Sequence, residues 1–374
     1  MKLLFSLTYY LPHLSGLTEY VRRLAELMSQ KNNQVAVLCI KHKEDLEEQE
    51  MINQVRVVRA NPLIKISKGF LSIDWFKKSR VETANADVII VNLPQVEGMV
   101  PAIMAKIRRK KLVVIYHSEL SIRNKFVQTG VEMTNRLILG LANEVVAYTE
   151  DFAKNSKILR PYLKKIVYLY PIVPIPRTEK KYELNLRKKI GQGRIVGIAA
   201  RLAEEKGFEY LFEAIKIIKK RSQEFADLKI AIAGPIDLPG EEKYQQKIFS
   251  LAKEMKNEVV FLGKVSQEKM GSFYKIIEVL TVPSVNSTET FGIVQVEAMR
   301  SGVPVAASDL PGVRVPVTKT GFGKIVKPAD ANSLAEAIME ILRNKTELKL
   351  NKIKADEEFD EEKISEKLIA YFGK

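Results

Sequence analysis

Tyr170-Pro-Ile-Val-Pro-Ile-Pro176 places three prolines within six residues, and proline lacks the amide hydrogen that a helix interior or a central strand needs. Neither element can run through this segment, so the chain divides here. Before it, short apolar runs recur at 3–7, 35–40, 55–58, 88–93, 112–116, 145–148 and 166–169, with helix-like stretches between them. After a charged, strand-poor stretch, a second series follows at 195–200, 228–233, 259–262, 279–282 and 303–307. Apolar runs alternating with helices predict parallel strands covered on both faces. Two such series predict an α/β protein of two doubly wound domains, 1–173 and 174–355, and a last helix, 356–374, that crosses back to the first. Ligands of such sheets lie beyond the carboxyl ends of the strands, and two facing domains would form a cleft there.

The composition narrows the function. A chain of 374 residues with 46% hydrophobic content can bury two cores. Cys39 is the only cysteine and sits in an apolar run, so no disulfide forms within the chain and a reducing compartment, the cytoplasm, is expected. His13, His42 and His117 are the only histidines, too scattered for a His/Cys metal cluster, and no Asp-x-Asp pair is present, so no metal is expected. The first twelve residues, Met-Lys-Leu-Leu-Phe-Ser-Leu-Thr-Tyr-Tyr-Leu-Pro, read as a buried strand and not as a leader. No run of eighteen apolar residues occurs, which leaves no simple spanning helix. The net charge is +15, and residues 1–170 carry 26 Lys and Arg against 16 Asp and Glu, which predicts an anionic partner for the first domain.

The chemistry concentrates in the second domain. Glu289-Thr-Phe-Gly-Ile-Val-Gln-Val-Glu297 holds two carboxylates around a segment with helical spacing, with Ser287 and Thr288 as candidate N-caps and Gly302 and Pro304 as stop signals. A helix beginning near Thr290 would turn the amides of Gly292, Ile293 and Val294 toward a diphosphate. Glu297, about a turn farther in, suits a ribose diol, and Glu289 suits the hydroxyls of a sugar. Upstream, Arg201-Leu-Ala-Glu-Glu-Lys206-Gly207 follows the first strand of the second series, where both cations would reach the same diphosphate.

Arg201, Lys206-Gly207, Pro283-Ser284, the Glu289 to Glu297 element with Phe291-Gly292 inside it, and Gly321-Phe-Gly323 with Pro328 and Asp330 together resemble the retaining glycosyltransferases of family 4. That resemblance implies a GT-B fold, two facing Rossmann-like domains with the nucleotide held mainly by the second. It implies transfer of a sugar from a nucleotide diphosphosugar, with retained configuration and no metal or other cofactor. Carried over, Glu289, Arg201 and Lys206 would act on the donor sugar and the leaving group, with His117 of the first domain supporting the developing charge. Glu297, Phe291, Gly292, Ile293 and Val294 would bind the donor, Gly234 and Val265 would frame its base, and Gly16 would line the loop where donor phosphate and acceptor meet. Ser15 stands where that loop usually has a second glycine. No residue reads as a covalent nucleophile, so front-face displacement is the expected route.

For the acceptor, two stretches interleave cations with apolar anchors: 62–80, with Trp75, Phe70 and Phe76, and 122–141, with Phe126, Leu137 and Leu139. They suit an anionic lipid surface, so a glycan or lipid-linked acceptor and a peripheral place on the cytoplasmic face of a membrane are expected. Alternatives from other classes are a non-catalytic sugar-nucleotide-binding subunit and a nucleic-acid protein; the latter lacks any helix-turn-helix, RNP-like or zinc pattern, so no nucleic acid is expected. A sugar-nucleotide epimerase of the same fold is a further option.

Overall fold

A strand buried on both faces of a parallel sheet must be apolar at every position, and these runs fold accordingly. The computed structural model describes residues 1–66, 69–122, 124–237 and 240–373. Its chain divides into two compact units, Met1–Ile172 with Glu361–Lys374, and Val173–Asp360.

In the first unit the strands are β1 (Lys2–Ser6), β2 (Gln34–Ile40), β3 (Gln49–Ile52), β4 (Val55–Ala60), the small hairpin β5 (Ile64–Ile66) and β6 (Gly69–Leu71), β7 (Val88–Leu93), β8 (Lys111–Tyr116), β9 (Glu144–Ala147) and β10 (Ile166–Tyr168). Apart from the hairpin they form one sheet in the order β10-β9-β8-β7-β1-β2-β4-β3. All pairings in it are parallel except β3 with β4. The chain moves outward from β1 through β2 and then restarts on the other side with β7. The carboxyl ends of β1 and β7 therefore flank a switch point.

The second unit holds β11 (Ile195–Ala199), β12 (Lys229–Ala233), β13 (Val259–Gly263), β14 (Val279–Val282), β15 (Val305–Ser308) and β16 (Gly323–Val326). Their order is β13-β12-β11-β14-β15-β16, all parallel. The switch point falls between β11 and β14, and both strands end in the loops that carry the cations and the first carboxylate.

β3, β5, β6 and β16 are missing from the sequence reading, and β3 and β16 share a cause. β3 is a polar edge strand of partly exposed residues, and β16 opens on Gly323 at the far edge. Neither carries the continuous apolar run by which buried strands are recognised. One local expectation needs correction. The helix after Glu289 runs Ile293–Arg300, not from Thr290, and its cap is Gly292 in the left-handed conformation, not Ser287 or Thr288. The helix after the Gly16 loop begins at Gly16 itself, because Ser15 caps it: its hydroxyl accepts from the Thr18 amide at 3.1 Å.

Trp75 is no lipid anchor. It is buried in the first core, and its indole donates to the Glu97 carbonyl at 2.9 Å. Of the same two basic stretches, Ser67, Lys68 and Arg123 lie outside the described residues. Cys39 is fully buried, as an apolar-run cysteine should be.

Candidate active site

The two carboxylates and two cations of the second unit divide into one direct pair and two supported outliers. Gly207 lies in the left-handed conformation, and a Cβ there would meet the Pro283 carbonyl at 2.3 Å. Glycine alone lets the loop after β11 lie against the loop after β14. That approach is locked by the Val285 amide donating to the Glu205 carbonyl at 3.0 Å. Lys206 consequently reaches across the switch point and donates to Glu289 Oε2 at 2.7 Å.

Glu289 Oε1 accepts from the Gly292 amide at 3.0 Å, so the carboxylate caps the helix that follows. This corrects one assignment: the Gly292 amide is occupied by Glu289, which leaves Ile293 and Val294 as the next amides at that helix end. Burial pushes the Glu289 carboxyl up, but the Lys206 ammonium and the amides of Gly292 and Thr290 outweigh it and hold it below the usual carboxylate range. It is an anion at neutral pH. Around this pair Ala199, Ala200, Thr281, Ser284 and Val294 line a shallow depression.

Arg201 sits at the rim with its side chain 47% exposed and ion-paired to Glu205. Glu297 lies deeper. It is buried, accepting from Gln267 Nε2 at 2.7 Å and from the Tyr274 hydroxyl at 2.8 Å. Burial, with Glu297 beside it, pushes the Tyr274 phenol well above its ordinary value, so it remains a donor. Phe291 is buried and packs edge-on to Phe359 at 6.0 Å between ring centroids, which makes it a support for the helix start. Gly234 has a structural reason of its own, since a Cβ there would stand 2.0 Å from the Ala200 carbonyl. Val265 is half-buried in the loop after β13.

In the first unit His117 follows β8 and is buried. Asn92, on β7, donates its amide to the Ser6 carbonyl at 3.0 Å, so its Oδ1 is the acceptor for His117 Nε2 at 2.9 Å. Nδ1 lies 2.5 Å from the Tyr148 hydroxyl, which donates to it. Both ring nitrogens are thus engaged, the Nε2–H tautomer is fixed, and burial pushes the imidazole down to about 3. The ring is neutral, held in place, and unsuited to taking a proton. Gly16 is exposed at the first position of its helix, with nothing within 4 Å of a Cβ there.

The sequence reading did not find Asn92, Tyr148, Gln267, Tyr274 or Glu205, which hold these groups. One signal was present: Asn92 is the polar residue within the fully buried strand Val88–Leu93, and such a group needs a partner. Among the described residues no group of three or more His, Cys, Asp or Glu side chains is placed to hold a metal ion, and no helix is long and apolar enough to cross a membrane.

Residues 14–175 match the family described as Glycosyltransferase Family 4, and residues 183–359 match Glycosyl transferases group 1. A D-inositol 3-phosphate glycosyltransferase of Corynebacterium urealyticum is 26% identical over 65% of this chain and 56% of its own length. A phosphatidyl-myo-inositol mannosyltransferase of Mycobacterium leprae is 31% identical over 37% of this chain and 34% of its own. The matched part thus spans less than two thirds of either relative. Among solved structures, Anabaena HepE in complex with UDP and glucose superposes with a TM-score of 0.79 at 20% identity, covering 100% of this chain and 99% of that one.

Proposed function

We propose that this chain, which belongs to the group 1 and family 4 glycosyltransferases and has their GT-B fold, moves a sugar from a nucleotide diphosphosugar to an acceptor hydroxyl with retained configuration and without a metal. The observation that carries this reading is the Lys206–Glu289 pair at the β11/β14 switch point, beside the open end of Ile293–Arg300. A diphosphate at that end finds a helix terminus and an ammonium, and a hexose beside it finds a carboxylate that accepts from its hydroxyls. Arg201, at the rim, can leave Glu205 for a phosphate oxygen; Glu297, held by Gln267 and Tyr274, is the carboxylate that suits the diol of a ribose.

As the bond from the anomeric carbon to phosphate breaks, negative charge grows on the diphosphate, and Lys206 and Arg201 stabilise it more than they stabilise the intact donor. The acceptor oxygen bonds to the same face of that carbon, and its proton passes to the departing phosphate oxygen. His117 holds its ring neutral and fixed, so its contribution is positional.

The likeness to a protein that binds UDP and glucose and to one named for mannosyl transfer to a phosphatidyl-inositol supports a nucleotide-sugar donor and a lipid-linked or glycan acceptor. A membrane surface is part of the proposal. On the helix Lys125–Leu141, Phe126 is 91% exposed, and Met133 and Leu137 continue its stripe; Ile103 and Ile107 are exposed on the neighbouring helix Met99–Ile107, with Lys106 and Arg109 beside them. Apolar groups flanked by cations suit an anionic headgroup layer.

The test is a thermal-shift panel of UDP-, GDP- and ADP-sugars followed by turnover with the donor that binds. At a hundredfold excess over Kd a true donor adds about 2.7 kcal/mol of stability, and turnover releases a nucleoside diphosphate with the α-linked donor configuration kept in the product. Donor binding with no release under any acceptor would favour a non-catalytic subunit, and inversion at the anomeric carbon would sink front-face transfer.

A further inference from the structure

Gln295 is a polar side chain on the helix Ile293–Arg300, set between Val294 and Val296 and completely buried. Burying an amide costs free energy unless its groups find partners, and here only the nitrogen does. Nε2 donates to the Phe291 carbonyl at 2.8 Å and to the Val313 carbonyl at 3.0 Å. Oε1 is buried and has no hydrogen-bond partner among the described residues. Turning the amide over would set that oxygen against two carbonyl oxygens, so its orientation is fixed. What such a side chain supplies is the geometry that its two donors impose.

That geometry converges on the candidate site. The Gln295 backbone amide donates to the Gly292 carbonyl at 2.8 Å, so one residue grips the peptide groups on both sides of the left-handed turn at Gly292. The fit is close: a Cβ on Gly292 would stand 2.6 Å from Gln295 Nε2. The Gly292 amide is in turn the donor that orients Glu289, whose other oxygen takes the Lys206 ammonium. Val313 lies in the loop after β15, so the same side chain ties the loop after β14 to its neighbour. Neither loop can shift without stretching one of these bonds, and burial away from water strengthens both.

We propose that Gln295 is a positioning residue for the donor diphosphate: it touches no ligand, and it sets the Glu289 carboxylate and the amides of Ile293 and Val294 where the second phosphate and the sugar meet them. An apolar side chain of the same length would fill the space but leave the turn at Gly292 free to rotate. An amide or carboxylate turned away from its partner loses most of its worth, because a hydrogen bond weakens steeply with angle. Glu297, on the ribose side, is held separately by Gln267 and Tyr274, so the nucleoside half of the donor keeps its contacts. The role rests on the diphosphosugar reading, and it predicts a loss confined to one part of the ligand.

The experiment is calorimetric titration of wild type, Gln295→Met and Gln295→Asn with matched probes, UMP and UDP, GMP and GDP, AMP and ADP, well below each protein's thermal midpoint. In wild type the diphosphate of one pair should bind more tightly than its monophosphate. Met has no donor and Asn is too short to reach both carbonyls, so in each variant that gap should shrink about tenfold, with monophosphate affinity within about twofold of wild type. A role in folding alone would lower the midpoint and leave the gap as it was, or weaken both probes alike; either result overturns the proposal. A second measurement uses the unmodified chain and does not depend on the variants folding. Hydrogen exchange should show residues 309–315 gaining protection together with 289–295 when the diphosphate is added, and not when the monophosphate is. Protection of 289–295 alone, or the same protection from the monophosphate, overturns it. A wild type that does not prefer any diphosphate sinks the transfer reading and this role with it, whereas a preference kept in full by both variants sinks this role alone.

Discussion

Lys206 and Glu289 stand 83 positions apart in the chain and 2.7 Å apart in the fold. Residue chemistry fixed what each can do; only their meeting makes one ion pair and one anchored helix end. Lys206→Ala should destabilise the protein by about 1–3 kcal/mol in urea unfolding at pH 7, since it leaves a half-buried carboxylate without its cation. The pH sign follows from the carboxyl being held below its ordinary 4.5. The pair's stabilisation is present above that value and lost as pH falls through the lower folded value, so wild type and variant should converge in acid. His117 behaves differently in kind. Its folded value of about 3 lies below the ordinary 6.5, so the unfolded chain binds the proton first and stability drops as pH falls below 6.5. From pH 7 to pH 4 that loss should reach about 3 kcal/mol, and His117→Gln should flatten the slope. An unchanged slope would mean the ring is not desolvated as described.

At the scale of elements, strands that carry an unbroken apolar run were legible, the edge strands β10 and β13 among them, and β3 and β16 were not, because Gln49-Glu50 and Gly323-Lys324 break any such run. The helix Ile293–Arg300 was legible in type and misplaced at its start, since a left-handed Gly292 and a carboxylate from the preceding loop cap it in place of an adjacent Ser or Thr. Glycines separate likewise. Gly207→Ala and Gly234→Ala force a Cβ to 2.3 Å and 2.0 Å from backbone carbonyls and should each cost about 2–4 kcal/mol in denaturant unfolding, with strained backbone and displaced loops as the cause. Gly16→Ala meets nothing within 4 Å at the first turn of a helix. Its stability should stay within about 0.5 kcal/mol of wild type, so any loss of turnover there reports on the loop's ligand and not on folding.

At the scale of the molecule, the terminal helix Glu361–Phe372 belongs with the first unit although the chain reaches it from the second. Ile364, Leu368 and Phe372 are buried, and Tyr371 donates to Glu144 Oε2 at 2.8 Å. Ending the chain at Asp360 should therefore lower hydrogen-exchange protection in Glu144–Ala147 and Gly16–Gln30, the latter in contact with that helix, while Ile195–Ala199 keeps its protection. For the exposed stripe on Lys125–Leu141, Phe126→Asp with Leu137→Asp should abolish sedimentation with phosphatidylglycerol vesicles and leave unfolding unchanged; equal sedimentation of the double variant would remove the membrane from the proposal. By itself the sequence determined the α/β class, the strands of both sheets that are buried on two faces, and the residue types that suit a diphosphosugar. Those follow from local periodicity and from side-chain chemistry, which a linear chain displays. Only the tertiary structure decided that Lys206 pairs with Glu289, that His117 is neutral between Asn92 and Tyr148, and that Gln295 joins the loops after β14 and β15. Each of those depends on which loops a parallel sheet brings to one edge, and strand order is set by packing over long sequence separations, not by any stretch of residues read alone.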